Sequence, residues 1–180
     1  MSAGPFAGAL RWTSYADNPF VLQAAVLATQ RKRTAFLYDM GLSCAVTQPQ
    51  QMAWNESAGT LKSEAVNELS KPRNLAVHGR AISAGFEVGS LAVFPPPHRY
   101  FYPLDFSDNL KTTWVGRRYN GHELPFGFGI RHDAGGDNRY VPWFNVPPGT
   151  SQELGRFLLL CANTPENALQ ATARLTRQDR

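Results

Sequence analysis

Apolar and polar positions alternate along much of the chain, and turn formers interrupt the alternation at roughly ten-residue spacing. The stretch NLAVHGRAISAGFEVGSLAVF at 74–94 reads as two or three short strands broken by Gly79, Gly85 and Gly89. Within it, EVGS is a tight turn in which glycine supplies a positive φ. TTWVGRRY and LPFGFGIRH alternate around YNGHE, where Asn120-Gly121 is the strongest short hairpin signal in the chain. HDAGGDN then reads as a loop, YVPWFNV as a strand, PPGTSQ as a turn and ELGRFLLLCA as another strand.

Two segments are less regular. Residues 20–47 admit a hairpin, with VLQAAVLAT and TAFLYDMGLSCAV as strands and QRKR between them. They also admit a helix at about 19–40, with Asn18 as cap and Pro19 at its first position. Aromatic and β-branched residues in the second limb favour strands, and the alanines of the first favour helix. Residues 48–73 are polar and promise a short strand or helical turn at most.

The last element is a helix at 164–178. Thr164 is placed to cap it, Pro165 takes the first helical position and Glu166 faces the positive end of the dipole. Ala168, Leu169, Thr172 and Leu175 form its buried stripe. The expected fold is therefore mainly β: an antiparallel β-sandwich across 1–180 as a single domain, closed by a C-terminal α-helix. The alternative is α+β with the N-terminal helix. The helix ends without a capping glycine or proline, which also fits a fragment cut before a following domain.

Fifteen glycines and thirteen prolines support many short strands. Charged residues are 18% of the chain and the net charge is +4. That is mild, and its arginines are scattered except at RKR 31–33 and RR 117–118, so it argues against a dedicated nucleic-acid binder. Cys44 and Cys161 form no C-x-x-C pair and sit in apolar stretches, as buried free thiols do; a long-range disulfide stays open. MSAGPFAGALRW lacks the basic and apolar regions of a signal peptide, and no apolar run approaches a membrane span. The chain thus reads as soluble and away from membranes, in an unassigned compartment.

Catalytic motifs are sparse. His78, His98, His122 and His132 lack metal-ligand spacing, no nucleophile elbow occurs, and GFG at 127–129 does not open a phosphate-binding helix. The GxG instead marks a strand pressed against another surface, or a bulge. No cofactor is implied. Asp105, Asp108, Glu123, Asp133 and Asp137 could serve a hydrolase, glycosidase-like or metal-dependent, but Asp-Asn steps are also turn formers.

Aromatic residues crowd the region from Tyr100 to Phe144. Alternation puts them on two faces, one of which must be core. On the other, Tyr100, Tyr102, Trp114 and Trp143 could stack on a ring, with Arg117, Arg131, Arg139 and His122 supplying hydrogen bonds. In VFPPPHRYFYPLDF, the prolines end any central strand and send an extended arm out of the sheet. Phe101 would anchor that arm.

SLAVFPPPHRYFYPLDFSDNL, ELPFGFGIRH and RYVPWFNVPPGTSQELGRFLLL, with the capped helix, resemble β-sandwich accessory regions of large bacterial sugar-processing enzymes, galactose-mutarotase-like sandwiches among them. The resemblance spans about 74–180 and implies an accessory role without catalytic residues. The expected function is a non-catalytic binding or accessory domain for a carbohydrate or other small molecule. A loop-based hydrolase, and a fragment that pairs with an adjacent catalytic domain or an oligomer partner, are the alternatives.

Overall fold

A reversal at Gly4, whose φ is 57°, folds β1 (Ser2–Ala3) back on β2 (Phe6–Tyr15). Asp17, at φ 56°, then turns β2 into β3 (Asn18–Ala28). Glycine and aspartate tolerate this left-handed backbone, so both hairpins are local products of the sequence. The computed structural model describes residues 1–36, 40–69, 71–96, 113–117, 126–130 and 144–177.

The helix alternative at 19–40 is overturned, because Asn18–Ala28 is a strand. Asn18 is used locally, though not as a helix cap: its Oδ1 accepts the Phe20 N–H at 3.0 Å. The expected 21–29/34–46 hairpin is corrected as well. β3 pairs with β2 on one side and with β14 (Ser151–Cys161) on the other. The second limb divides into β4 (Thr34–Phe36) and β5 (Gly41–Ser43), which join two other sheets. Ala24 suits the strand because it lies opposite Gly155 in a closely packed pair.

Residues 48–73 hold more structure than their polarity suggests. β6 (Gln51–Glu56) and β7 (Leu61–Ala65) form a hairpin, followed by a short 3-10 turn at Val66–Glu68. β8 (Arg73–Leu75) follows. β9 (Val77–Phe86) runs on where breaks were expected, and β10 (Gly89–Phe94) returns antiparallel to it. Gly79 and Arg80, at φ 73° and 53°, bulge β9 where its register with β6 shifts, without ending it. The EVGS turn falls as expected, and Gly89 has φ 142°. β10 ends at Phe94, immediately before the proline run.

β11 (Thr113–Gly116) and β12 (Gly127–Gly129) pair antiparallel, as the TTWVGRRY and LPFGFGIRH pattern predicts. The Asn120-Gly121 turn itself lies outside the described residues. β13 (Phe144–Val146) pairs with β4. The strands assemble into an eight-stranded sheet ordered β1-β2-β3-β14-β10-β9-β6-β7, a four-stranded sheet ordered β5-β12-β11-β8, and the β13-β4 pair.

One core lies between the two larger sheets. Met52, Trp54, Ile82, Ala84, Val93 and Leu158 of the large sheet meet Leu75, Val115, Phe126, Phe128 and Ile130. The opposite face of the large sheet is covered by α1 (Pro165–Arg177). The molecule is thus sandwich-like and mainly antiparallel β, with a C-terminal helix. β6, β9 and β10 are buried on both faces, which is why their apolar residues run together rather than alternate cleanly.

The helix follows its sequence closely. Thr164 Oγ1 accepts the Asn167 N–H, and Thr164 O accepts the Ala168 N–H. Ala168, Leu169 and Thr172 are buried and Leu175 packs at the margin. The helix can approach because Ala53, Ser83 and Ala92 beneath it are small and fully buried. At its start Pro165 presses on Gly85, where a Cβ would come 2.9 Å from Pro165 Cδ.

Candidate functional site

Of the expected ring-stacking and hydrogen-bonding residues, Tyr100, Tyr102, Trp143, Arg131, Arg139 and His122 lie outside the described residues. Phe101, Asp105, Asp108, Glu123, Asp133 and Asp137 lie outside them too, as do His98 and His132. Trp114 and Arg117 are described. Trp114 is 3% exposed, and its ring lies over Gly127 and Gly129 of the neighbouring strand. Of the two readings of the GxG motif, a strand pressed against another surface or a bulge, the structure has the first, and the surface is the Trp114 ring. An indole covered in this way offers no open face for a ligand. Arg117 Nη2 donates to Gln48 Oε1 at 3.0 Å, at the end of β11.

A more open arrangement lies close by, past Gly41 of β5, which pairs with Gly129 beneath the Trp114 ring. Among the described residues, the four-stranded sheet meets the large sheet at β14, through Leu158 and Arg156, and the inner face of β2 beyond it is left exposed at Leu10 and Trp12. Strand alternation puts Leu10 and Trp12 on this face. Register sets Leu10 beside Ala25 and Leu154, and Trp12 beside Gln23 and Arg156. Met40 and Gly41 close one side. The result is a groove of about 240 Å³ lined by Leu10, Gln23, Ala25, Leu27, Met40, Gly41, Leu154 and Arg156. Leu10 is 47% exposed and Trp12, next to the groove on the same face, 56% exposed.

Arg156 fixes the floor. It is 8% exposed, and its Nε donates to Gln23 Oε1 at 2.8 Å while Nη2 donates to the same oxygen. Nη1 donates to Gly41 O at 2.8 Å, joining the two sheets. With Oε1 held by the guanidinium, the Gln23 amide is oriented and its Nε2 is the donor left for the groove. An apolar wall, an indole at the rim and an oriented amide can receive a ligand with one apolar face and a hydrogen-bonding edge. Sequence reading missed this site. Trp12 and Leu10 stand in an alternating FAGALRWTSY run, a strand signal interrupted by alanine and glycine. No local signal links Arg156 to Gln23 or Gly41.

A second concavity, more polar, lies where α1 begins. It is lined by Gln50, Gln51, Glu87, Asn163, Thr164 and Asn167 among others. Beside it Ser63 Oγ donates to Glu166 Oε1 at 2.5 Å and accepts from Gln51 Nε2 at 2.6 Å. Burial raises the Glu166 carboxyl, but hydrogen bonds from Ser63, its own backbone and Thr164 outweigh this and hold it below its ordinary value. A depressed carboxyl stabilises the fold only while ionised. Its contribution is present at neutral pH and is lost as pH falls through the ordinary carboxylate range to the folded value. The melting temperatures of the parent and Glu166→Gln are therefore expected to differ at neutral pH and to converge in acid, read by thermal melts across that range.

Among the described residues, no three His, Cys, Asp or Glu side chains group to hold a metal ion. Cys44 and Cys161 are free thiols, partly rather than fully buried, and burial pushes both above the ordinary thiol range. No helix among the described residues is long and apolar enough to cross a membrane. Compared with known proteins, the chain matches no family model, no curated protein and no solved structure.

Proposed function

We propose that this chain is a non-catalytic binding module whose ligand is a carbohydrate or a small molecule of the same amphipathic character, seated in the groove of β2, β3 and β14. The observation that supports it is the exposed Trp12 indole beside an oriented Gln23 amide, over a wall of Leu10, Ala25, Leu27 and Leu154. Pyranose rings have an apolar face that stacks on indole and a rim of hydroxyls that takes amide hydrogen bonds. Burial of one such face on tryptophan contributes on the order of 1–2 kcal/mol, which places single-sugar affinity in the weak range and makes oligosaccharides the better probes.

The test is titration with a panel of soluble oligosaccharides, followed by tryptophan fluorescence and by chemical shifts of the Gln23 side-chain amide. The expected result is saturable binding that Trp12→Ala weakens about tenfold or more, with unfolding midpoint unchanged because the ring is exposed. Saturable binding that Trp12→Ala leaves intact would move the site elsewhere, and a panel without any saturable response would end the carbohydrate reading.

A further inference from the structure

The groove of β2, β3 and β14 is one-sided in its hydrogen bonding. Its wall is apolar, with Leu10, Ala25, Leu27, Met40 and Leu154. Its polar groups are Gln23, Arg156 and the backbone at Gly41. Gln23 Oε1 accepts from both Nε and Nη2 of Arg156, and a carbonyl oxygen has two lone pairs, so its accepting capacity is used. Gly41 O accepts from Arg156 Nη1 at 2.8 Å. Among the described lining residues, no hydroxyl, carboxylate or second amide supplies another side-chain acceptor. The backbone of β3 beneath the groove is bonded to β2 on one side and to β14 on the other.

One directed donor remains. The Gln23 amide cannot exchange its ends, because turning it over would set its NH₂ against the guanidinium, donor against donor. Arg156 is buried, so water gives little relief from that arrangement. Nε2 is therefore held as the donor, and no protein group among the described residues accepts from it. A groove that donates without accepting discriminates between oxygens. A hydroxyl that accepts from Nε2 brings its own proton among leucine side chains, and a buried donor without an acceptor weakens binding. A carbonyl oxygen has no proton to place. A carboxylate has none either, but its charge would rest on a neutral amide between apolar side chains, since each guanidinium nitrogen already donates to a protein oxygen.

We infer that the sugar taken by this groove is N-acetylated: its acetamido carbonyl accepts from Gln23 Nε2, its methyl group meets the leucine wall, and its ring stacks on Trp12. This rests on the groove being a carbohydrate site and adds the class of sugar. A carbonyl joined to a methyl group matches both halves of the groove, the single donor and the apolar side chains around it. Trp12 is the register partner of Gln23 across β2 and β3, so the two residues are about 5 Å apart at Cα. A single pyranose with one side group spans that distance. The N–H of the acetamido group lies opposite its carbonyl, and so points back toward the rim and water.

Paired titrations with chitotetraose and cellotetraose test this, because the two share one backbone and differ only in an acetamido group or a hydroxyl at the 2-position. Tetragalacturonate supplies the carboxylate for comparison. The expected result is that chitotetraose binds about tenfold more tightly than either, and that it alone shifts the Gln23 side-chain amide protons. Gln23→Glu keeps an oxygen for Arg156 and turns the donor into an acceptor. In that variant, with its circular dichroism spectrum unchanged, the preference for chitotetraose is expected to vanish while cellotetraose binds at least as well as before. A merely structural Gln23 would weaken both ligands together, and that result overturns the assignment. So does a preference for chitotetraose that survives Gln23→Glu, or tighter binding of tetragalacturonate. Equal affinity of the parent chain for chitotetraose and cellotetraose overturns the acetamido inference and leaves the carbohydrate reading standing. No binding of any of the three ends both.

Discussion

Gly129→Val is expected to lower the unfolding free energy by about 3 kcal/mol, at the upper end of ordinary overpacking. Even the first carbon of a side chain there would lie 2.5 Å from Trp114 Nε1 and 2.8 Å from Gly41 Cα. The indole is itself buried against the sheet, and Gly41 is backbone of the neighbouring strand, so neither can retreat without parting β12 from β5 or β11. Urea unfolding of Gly129→Val against the parent measures the loss. Combining it with Trp114→Leu is expected to recover only part of the stability, because the contact with Gly41 remains. Full recovery would show that the ring alone dictates the glycine.

Arg156→Met is the second large effect, at about 2 kcal/mol. The side chain has similar length and packs similarly, but Gln23 Oε1 loses its donors and Gly41 O loses the bond that ties the two sheets together. Partly buried acceptors left without partners cost on the order of 1–3 kcal/mol. Arg156→Lys is expected to recover less than half, since an ammonium cannot present two nitrogens to one amide while reaching a carbonyl with a third. Ligand binding separates the two roles of this residue. Under conditions where the variant is fully folded, Arg156→Met is expected to weaken oligosaccharide binding because the Gln23 amide is free to rotate. Unchanged affinity would assign Arg156 to the fold alone.

Legibility differed by element, and the differences have physical causes. The helix was readable because its signals are local: a capping Thr164, Pro165 at the first position and a stripe from Ala168 to Leu175. The β11–β12 pair was readable from two alternating runs near in sequence. β6 was not, since WNES looks polar in isolation; Trp54 is 2% exposed only because the small sheet covers that face. β3 was read as a strand but given the wrong neighbour. Its partner β14 lies more than a hundred residues away, and no hairpin signal marks a pairing of that length. Trp114 entered the expected ligand shelf by its strand position, and alternation alone cannot say which face is outside. Trp12 was passed over because it lies in a run weakened by glycine and alanine.

The sequence by itself determined the mainly β class, the EVGS reversal at a positive φ, the capped helix with its buried stripe, and a GFG strand pressed against another surface. These depend on period, backbone freedom and termini, which are properties of neighbouring residues. Only the tertiary structure decided that β3 and β14 run side by side, that the small sheet stops short of β2, and that Arg156 meets Gln23 and Gly41. Those facts depend on how far one layer extends over another. The groove exists because an eight-stranded sheet is packed against a four-stranded one, and the relative extent of two layers is written in no single stretch of the chain.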